Sequence, residues 1–139
     1  MWRVPTDKGI RMILGLGCDI VNVERLPSDL EHFQKRILGE AEQKELSARR
    51  PTDKKVLSSL LAKYYAGKEA FAKALGTGFR DGIYLKDIQI LHTTLGKPEL
   101  HISGSALDYL HRLSAAPRLH ITLSDDFPYA QAVVIIEGE

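Results

Sequence analysis

The run AGKEAFAKALGTG, Ala66 to Gly78, constrains this chain more than any other stretch. Upstream of it Val56, Leu57, Leu60, Leu61 and Tyr64 recur at helical spacing, and Phe71 and Leu75 continue the series. One long helix is therefore expected, introduced by Pro51 and Thr52 and ended by Gly76. Glu69 and Lys73 stand four residues apart on it, hence on one face. A second run, GLGCDIVNVERL from Gly15 to Leu26, reads as a buried strand carrying a single acid, Asp19. Glycines inside a strand mark close approach by another backbone. An acid from a strand, an acid from a helix and a lysine suit Mg²⁺-assisted phosphoryl transfer. Each part also has a structural reading. Glu69–Lys73 is a stabilising helix pair, Gly76-Thr77-Gly78 is a helix cap, and Asp19 is a turn residue or N-cap.

The remaining pattern predicts a single α+β domain in which a long helix packs on a mostly antiparallel sheet. Met12 to Val23 forms the first strand. Pro27 and Ser28 announce a helix with Leu30, Phe33, Ile37 and Leu38 on its apolar side, and a second short helix runs near Glu40 to Ala48. Ile83, Leu85, Ile88 and Ile90 punctuate a strand-like stretch. The turn Gly96-Lys97-Pro98 leads into a strand near Glu99 to Ile102, and Ser103 to Leu113 is helical. Arg118 to Ser124 and Tyr129 to Glu137 read as a strand pair. Residues 1–11 read as an extension and residues 12–139 as the domain.

Of the 139 residues, 44% are hydrophobic, enough for a real core, and 19 basic residues balance 18 acidic ones. That balance gives no global electrostatic case for nucleic acid. Local clusters (Lys35 with Arg36, Arg49 with Arg50, Lys54 with Lys55) could still offer a basic surface to an acidic partner. Cys18 is the only cysteine, so no internal disulfide forms. Its apolar neighbours suggest an inert core thiol, and a reducing cytoplasm is the expected location. No apolar run is long enough to cross a membrane. The five histidines lack metal-ligand spacing, which speaks against zinc, and His120 opens a core-like strand.

Taken in order, GLGCDIVNVERL, AGKEAFAKALGTG, GKPEL and HITLSDDFPYAQAVVII resemble the holo-(acyl-carrier-protein) synthase family, the short bacterial type of 4′-phosphopantetheinyl transferase. The resemblance covers Met12 to Glu137. It implies transfer of phosphopantetheine from coenzyme A to a serine of apo-acyl carrier protein, with release of 3′,5′-ADP, in support of fatty acid biosynthesis. By that resemblance Asp19 and Glu69 match the Mg²⁺ ligands, and Asp19, Glu69 and Lys73 form the catalytic set. Lys73 lies beside the phosphates, and Lys68, rotated away from it, is secondary. Gly76, Thr77 and Gly78 could line the phosphates through their amides. Gly96, Lys97 and Pro98, together with Thr122, Leu123 and Ser124, match the nucleotide end.

The resemblance further implies that Arg25, Phe33, Lys35 and Arg36 form the carrier-protein face, and that the protein is a homotrimer with active sites between subunits. Two positions depart from the family. Many members carry arginine where this chain has Tyr64, which leaves Lys63 or a neighbouring subunit to supply the cation. Some carry histidine where it has Asp125, an acid that must point away from a phosphate or meet a lysine. A catalytically silent carrier-protein-docking module, or a coenzyme A enzyme acting at the thiol, are the competing readings.

Overall fold

The computed structural model describes residues 10–51, 53–79 and 82–139. Residues 1–9 of the expected extension, and Thr52 ahead of the long helix, lie outside them. Strand β1 (Met12–Asn22) is followed by a single 3₁₀ turn, then α1 (Leu30–Ile37), α2 (Glu40–Arg49) and α3 (Lys54–Leu75). Strands β2 (Ile88–His92) and β3 (Pro98–Ile102), helix α4 (Gly104–Leu113), and strands β4 (Arg118–Asp126) and β5 (Tyr129–Gly138) complete the chain. The α+β fold expected from the pattern is found, with its strands in two antiparallel sheets, ordered β1-β5-β4 and β2-β3. The strand-like stretch expected from Ile83 begins instead as a 3₁₀ turn, Leu85–Asp87, and becomes a strand at Ile88.

Local chemistry sets the helix ends. Asp29 and Asp53 cap α1 and α3 by accepting hydrogen bonds from the His32 and Lys55 amides. Gly76, at φ 82°, ends α3 in the left-handed region that costs glycine nothing. Arg50 ends α2 in the same region, at φ 47°, without that freedom.

Helix α3 lies across the three-stranded sheet. Ala66, Ala70 and Ala74, one turn apart, keep that contact thin and meet Ala132, Val134 and Ile136 of β5 with Phe71 among them. Gly15 and Gly17 bring β1 still closer. A Cβ on Gly17 would sit 1.9 Å from the Ala70 carbonyl oxygen, and one on Gly15 would sit 2.1 Å from that of Ala74. A second apolar cluster joins α1, α2 and α3 through Phe33, Ile37, Leu46, Leu61, Tyr64 and Ile90.

Between α2, α3 and β2 lies a buried ion pair that the sequence pattern does not announce. Lys68 and Glu42 are both 0% exposed, and Lys68 Nζ donates to Glu42 Oε1 at 2.7 Å and to the carbonyls of Leu85 and Ile88. Glu42 also accepts from the Gly39 and Ile90 amides, each at 2.9 Å. Three donors and the carboxylate lone pairs are thus matched to the charged forms of both groups. Burial pushes the Glu42 carboxyl up and the Lys68 ammonium down, and each partner opposes the other's shift.

The sheet face turned away from α3 is open. Leu16 and Ile20 are each 64% exposed there, and Cys18 between them is exposed rather than packed in a core. His120 likewise faces out, paired with Glu137 on the neighbouring strand.

Candidate active site

Asp19, Glu69 and Lys73 meet where β1 passes beneath α3. Residues 15, 17 and 19 share one side of the strand, so the two glycines that admit the helix also aim Asp19 at it. Helical side chains lean toward the helix N-terminus. Lys73 does so, and its Nζ donates to Asp19 Oδ1 at 2.9 Å and to the Cys18 carbonyl at 3.1 Å. The hydrogen bond it donates to Asp19 holds the Lys73 ammonium above its ordinary pKa, so it stays charged at neutral pH.

Glu69 and Asp19 both line a cavity of about 610 Å³, together with Asn22, Arg25, Arg36, Tyr65 and Tyr129. A cavity of about 710 Å³ with a more apolar wall of Phe79, Ile83, Tyr84 and Leu85 adjoins it, and Arg36, Tyr65 and Glu69 belong to both. The site is therefore a polar, cation-rimmed lobe and an apolar lobe with Glu69 between them. Tyr65 went unnoticed in the sequence, although its position four residues before Glu69 puts it on the Glu69–Lys73 stripe. Asn22 and Tyr129 carried no local signal, because they join the site only through the pairing of β1 with β5.

No group of three or more His, Cys, Asp or Glu side chains able to hold a metal occurs among the described residues. Two carboxylates on an open cavity are nonetheless the donor set magnesium uses when phosphate oxygens and water complete its octahedron. Asp19 and Glu69 fit that group.

The Gly76 amide donates to the Lys73 carbonyl at 3.0 Å and the Gly78 amide to that of Ala72 at 3.2 Å. Both are occupied in ending α3. The Thr77 hydroxyl donates to the Gly78 carbonyl. The nucleotide-end residues divide. Gly96, Pro98 and Leu123 line a cavity of about 300 Å³ with Arg49, Lys63, Tyr64 and His92. Lys97 faces a groove between β3 and β4, while Thr122 and Ser124 are exposed.

Both departures are resolved locally. Asp125 meets Lys63 at 3.1 Å, and Tyr64 is buried with its hydroxyl unpartnered, the one such side-chain atom among the described residues. Burial, with Glu45 nearby, pushes the Tyr64 phenol up to about 12. On the expected partner face Arg25 and Arg36 line the polar lobe, and Lys35 is exposed beside Glu31. Phe33, 3% exposed beneath the Arg36 guanidinium, lines the same lobe from the core side.

The family model of the 4′-phosphopantetheinyl transferase superfamily matches residues 15–132. The chain belongs to that superfamily. It is 41% identical to the holo-[acyl-carrier-protein] synthase of Sphingopyxis alaskensis over 134 residues, 91% of this chain and 98% of the relative. The crystal structure of the Bacillus anthracis holo-(acyl-carrier-protein) synthase, a complex with CoA (3′,5′-ADP), superposes with a TM-score of 0.75 at 30% identity, covering 92% of this chain and 99% of that one. The Neisseria meningitidis enzyme gives 0.72 at 32%, covering 90% and 98%. The resemblance read from the four sequence blocks is thus confirmed over nearly the whole chain, and the protein is a phosphopantetheinyl transferase. No helix among the described residues is long and apolar enough to cross a membrane.

Proposed function

We propose that this phosphopantetheinyl transferase moves the 4′-phosphopantetheine group of coenzyme A onto a serine of apo-acyl carrier protein, with Mg²⁺, in support of fatty acid biosynthesis. The observation that carries this reading is the convergence of Asp19 and Glu69 on one open cavity, with Lys73 hydrogen-bonded to Asp19. In the reaction the serine oxygen bonds the β-phosphorus, the bond to the bridging oxygen breaks, and 3′,5′-ADP departs. Mg²⁺ held by Asp19 and Glu69 would withdraw charge from the phosphate oxygens. Lys73, kept protonated by Asp19, supplies a second positive charge against the pyrophosphate. Glu69, at the junction of the lobes, would take the serine proton, directly or through water.

The apolar lobe suits the uncharged pantetheine arm, and the Arg25–Arg36 rim suits an acidic acceptor. The Gly96–Pro98–Leu123 cavity is the candidate for the nucleotide end. The open sheet face of Leu16, Cys18 and Ile20 supports a homotrimer, in which one subunit's Thr122 and Ser124 would serve a neighbour's site. A single unpaired cysteine is at home in a reducing cytoplasm.

The test is the intact mass of an apo-acyl carrier protein incubated with this protein and coenzyme A, with Mg²⁺ or with chelator. A Mg²⁺-dependent gain of one phosphopantetheine, with release of 3′,5′-ADP, is expected. No gain while coenzyme A still binds would refute transfer in favour of a silent docking module.

A further inference from the structure

Glu69 borders the apolar lobe from α3, and Ile83, Tyr84 and Leu85, which lead into β2, wall it on another side. Ile83 and Ile88 pack into the core, but apolar packing is non-directional and sets no fixed spacing. The directional contacts come from the residue next to Glu69. Successive helical side chains point about 100° apart. Lys68 accordingly lines neither lobe and is 0% exposed. Its Nζ donates to the Leu85 carbonyl at 2.9 Å and to the Ile88 carbonyl at 2.5 Å. Those carbonyls stand at the start and just past the end of the 3₁₀ turn behind the wall. The third proton goes to Glu42 at 2.7 Å. Glu42 accepts in turn from the Ile90 amide of β2 and from the Gly39 amide, just past the helix that carries Arg36. One buried ammonium thus ties the wall of the lobe to the helix that bears Glu69.

We propose that Lys68 is a positioning residue for coenzyme A. Its bonds to the Leu85 and Ile88 carbonyls fix the spacing between the Ile83–Leu85 wall and Glu69, and so the width of the lobe that takes the pantetheine arm. The proposal rests on the reading of that lobe as the arm's site. An uncharged arm is held by fit against its walls, and a misfit of one methylene costs about 10–200-fold.

The experiment measures calorimetric affinities for coenzyme A and for 3′,5′-ADP, which lacks the arm. Wild type, Glu42→Gln and Glu42→Gln/Lys68→Met are compared, each below its own thermal midpoint. Glu42→Gln breaks the ion pair but leaves the Lys68 amine on both carbonyls. The double variant removes those bonds and strands no charge, which Lys68→Met alone would do. Expected is an affinity for coenzyme A lowered about tenfold in the double variant alone. Affinity for 3′,5′-ADP should stay within about twofold in all three proteins. The KM for coenzyme A should rise to match in the double variant, with the KM for carrier protein unchanged. A lysine that serves only stability would weaken both ligands together or neither. Coenzyme A affinity of the double variant within about twofold of wild type overturns the role of Lys68. So does an equal loss for 3′,5′-ADP, or an equal loss in Glu42→Gln. Wild type that binds the two ligands equally overturns the reading of the lobe as the arm's site, and this proposal with it.

Discussion

Replacing Gly17 by alanine asks how far the site depends on the thinness of the β1–α3 contact. The new Cβ would lie 1.9 Å from the Ala70 carbonyl oxygen and 2.8 Å from the Ala74 nitrogen, both main-chain atoms that cannot swing aside. Carbon and carbonyl oxygen come into favourable contact at about 3.3 Å, so strand and helix must separate by roughly 1.4 Å. Overpacking of this kind costs about 1–3 kcal/mol, and a backbone-to-backbone clash belongs at the upper end. For a chain of this length a loss near 3 kcal/mol lowers the thermal midpoint by about 10 °C. The same separation draws Asp19 away from Lys73 and Glu69. A misplacement of about 1 Å costs on the order of 100-fold in rate, and kcat should fall by that factor in protein that is still folded. Calorimetry gives the first quantity, and transfer to apo-acyl carrier protein well below the lowered midpoint gives the second. A soluble Gly17→Ala protein with a midpoint within about 2 °C of wild type and wild-type turnover would refute the reasoning.

Three further outcomes are expected. Lys68→Met strands the Glu42 carboxylate in the core and should cost about 3–5 kcal/mol in urea unfolding, much of it recovered in the Glu42→Gln/Lys68→Met double variant; a single variant as stable as wild type would contradict the buried pair. Tyr64 holds its proton to about 12 in the fold, whereas an unfolded tyrosine ionises near 10. Its contribution is therefore complete below pH ~10 and lost as pH rises through about 12. An ultraviolet titration should show a phenol ionising near 12 that Tyr64→Phe removes, with stability raised by up to about 1 kcal/mol because no hydrogen bond is lost. Arg25→Glu should raise the KM for carrier protein about tenfold, most at low salt, and leave the KM for coenzyme A unchanged; equal losses in both would deny a docking role.

Much of this fold could be read locally. The apolar spacing of α3, its glycine stop and the strand glycines each act within a few residues, and together they place Asp19, Glu69 and Lys73 on facing elements. What escaped depends on distant partners. Glu42 sits in a helix whose polar residues follow no stripe, and its burial follows from Lys68, 26 residues on. Tyr64 looks like one more apolar-face residue until α2 closes over it. Strand β1 carries apolar side chains on both faces, the mark of a strand covered twice. In the single chain only the α3 side is covered, and Cys18 lies exposed on the other. The amides of Gly76 and Gly78 illustrate a different limit: a helix stop and a phosphate loop use the same residues, and only the hydrogen bonds distinguish them.

The sheet order β1-β5-β4 has a consequence for how a newly made chain acquires activity. Strand β1, the first described element and the bearer of Asp19, hydrogen-bonds within its sheet only to β5, the last described one. Until Tyr129–Gly138 has been synthesised, Asp19 has no neighbouring strand to set its register. The three candidate site groups therefore come together only after all the elements between β1 and β5 have been translated. Closing so long a loop makes the step slow relative to the helical contacts, whose partners lie close in sequence. A nascent chain can shelter its helices early and still be inert until β1 and β5 have paired.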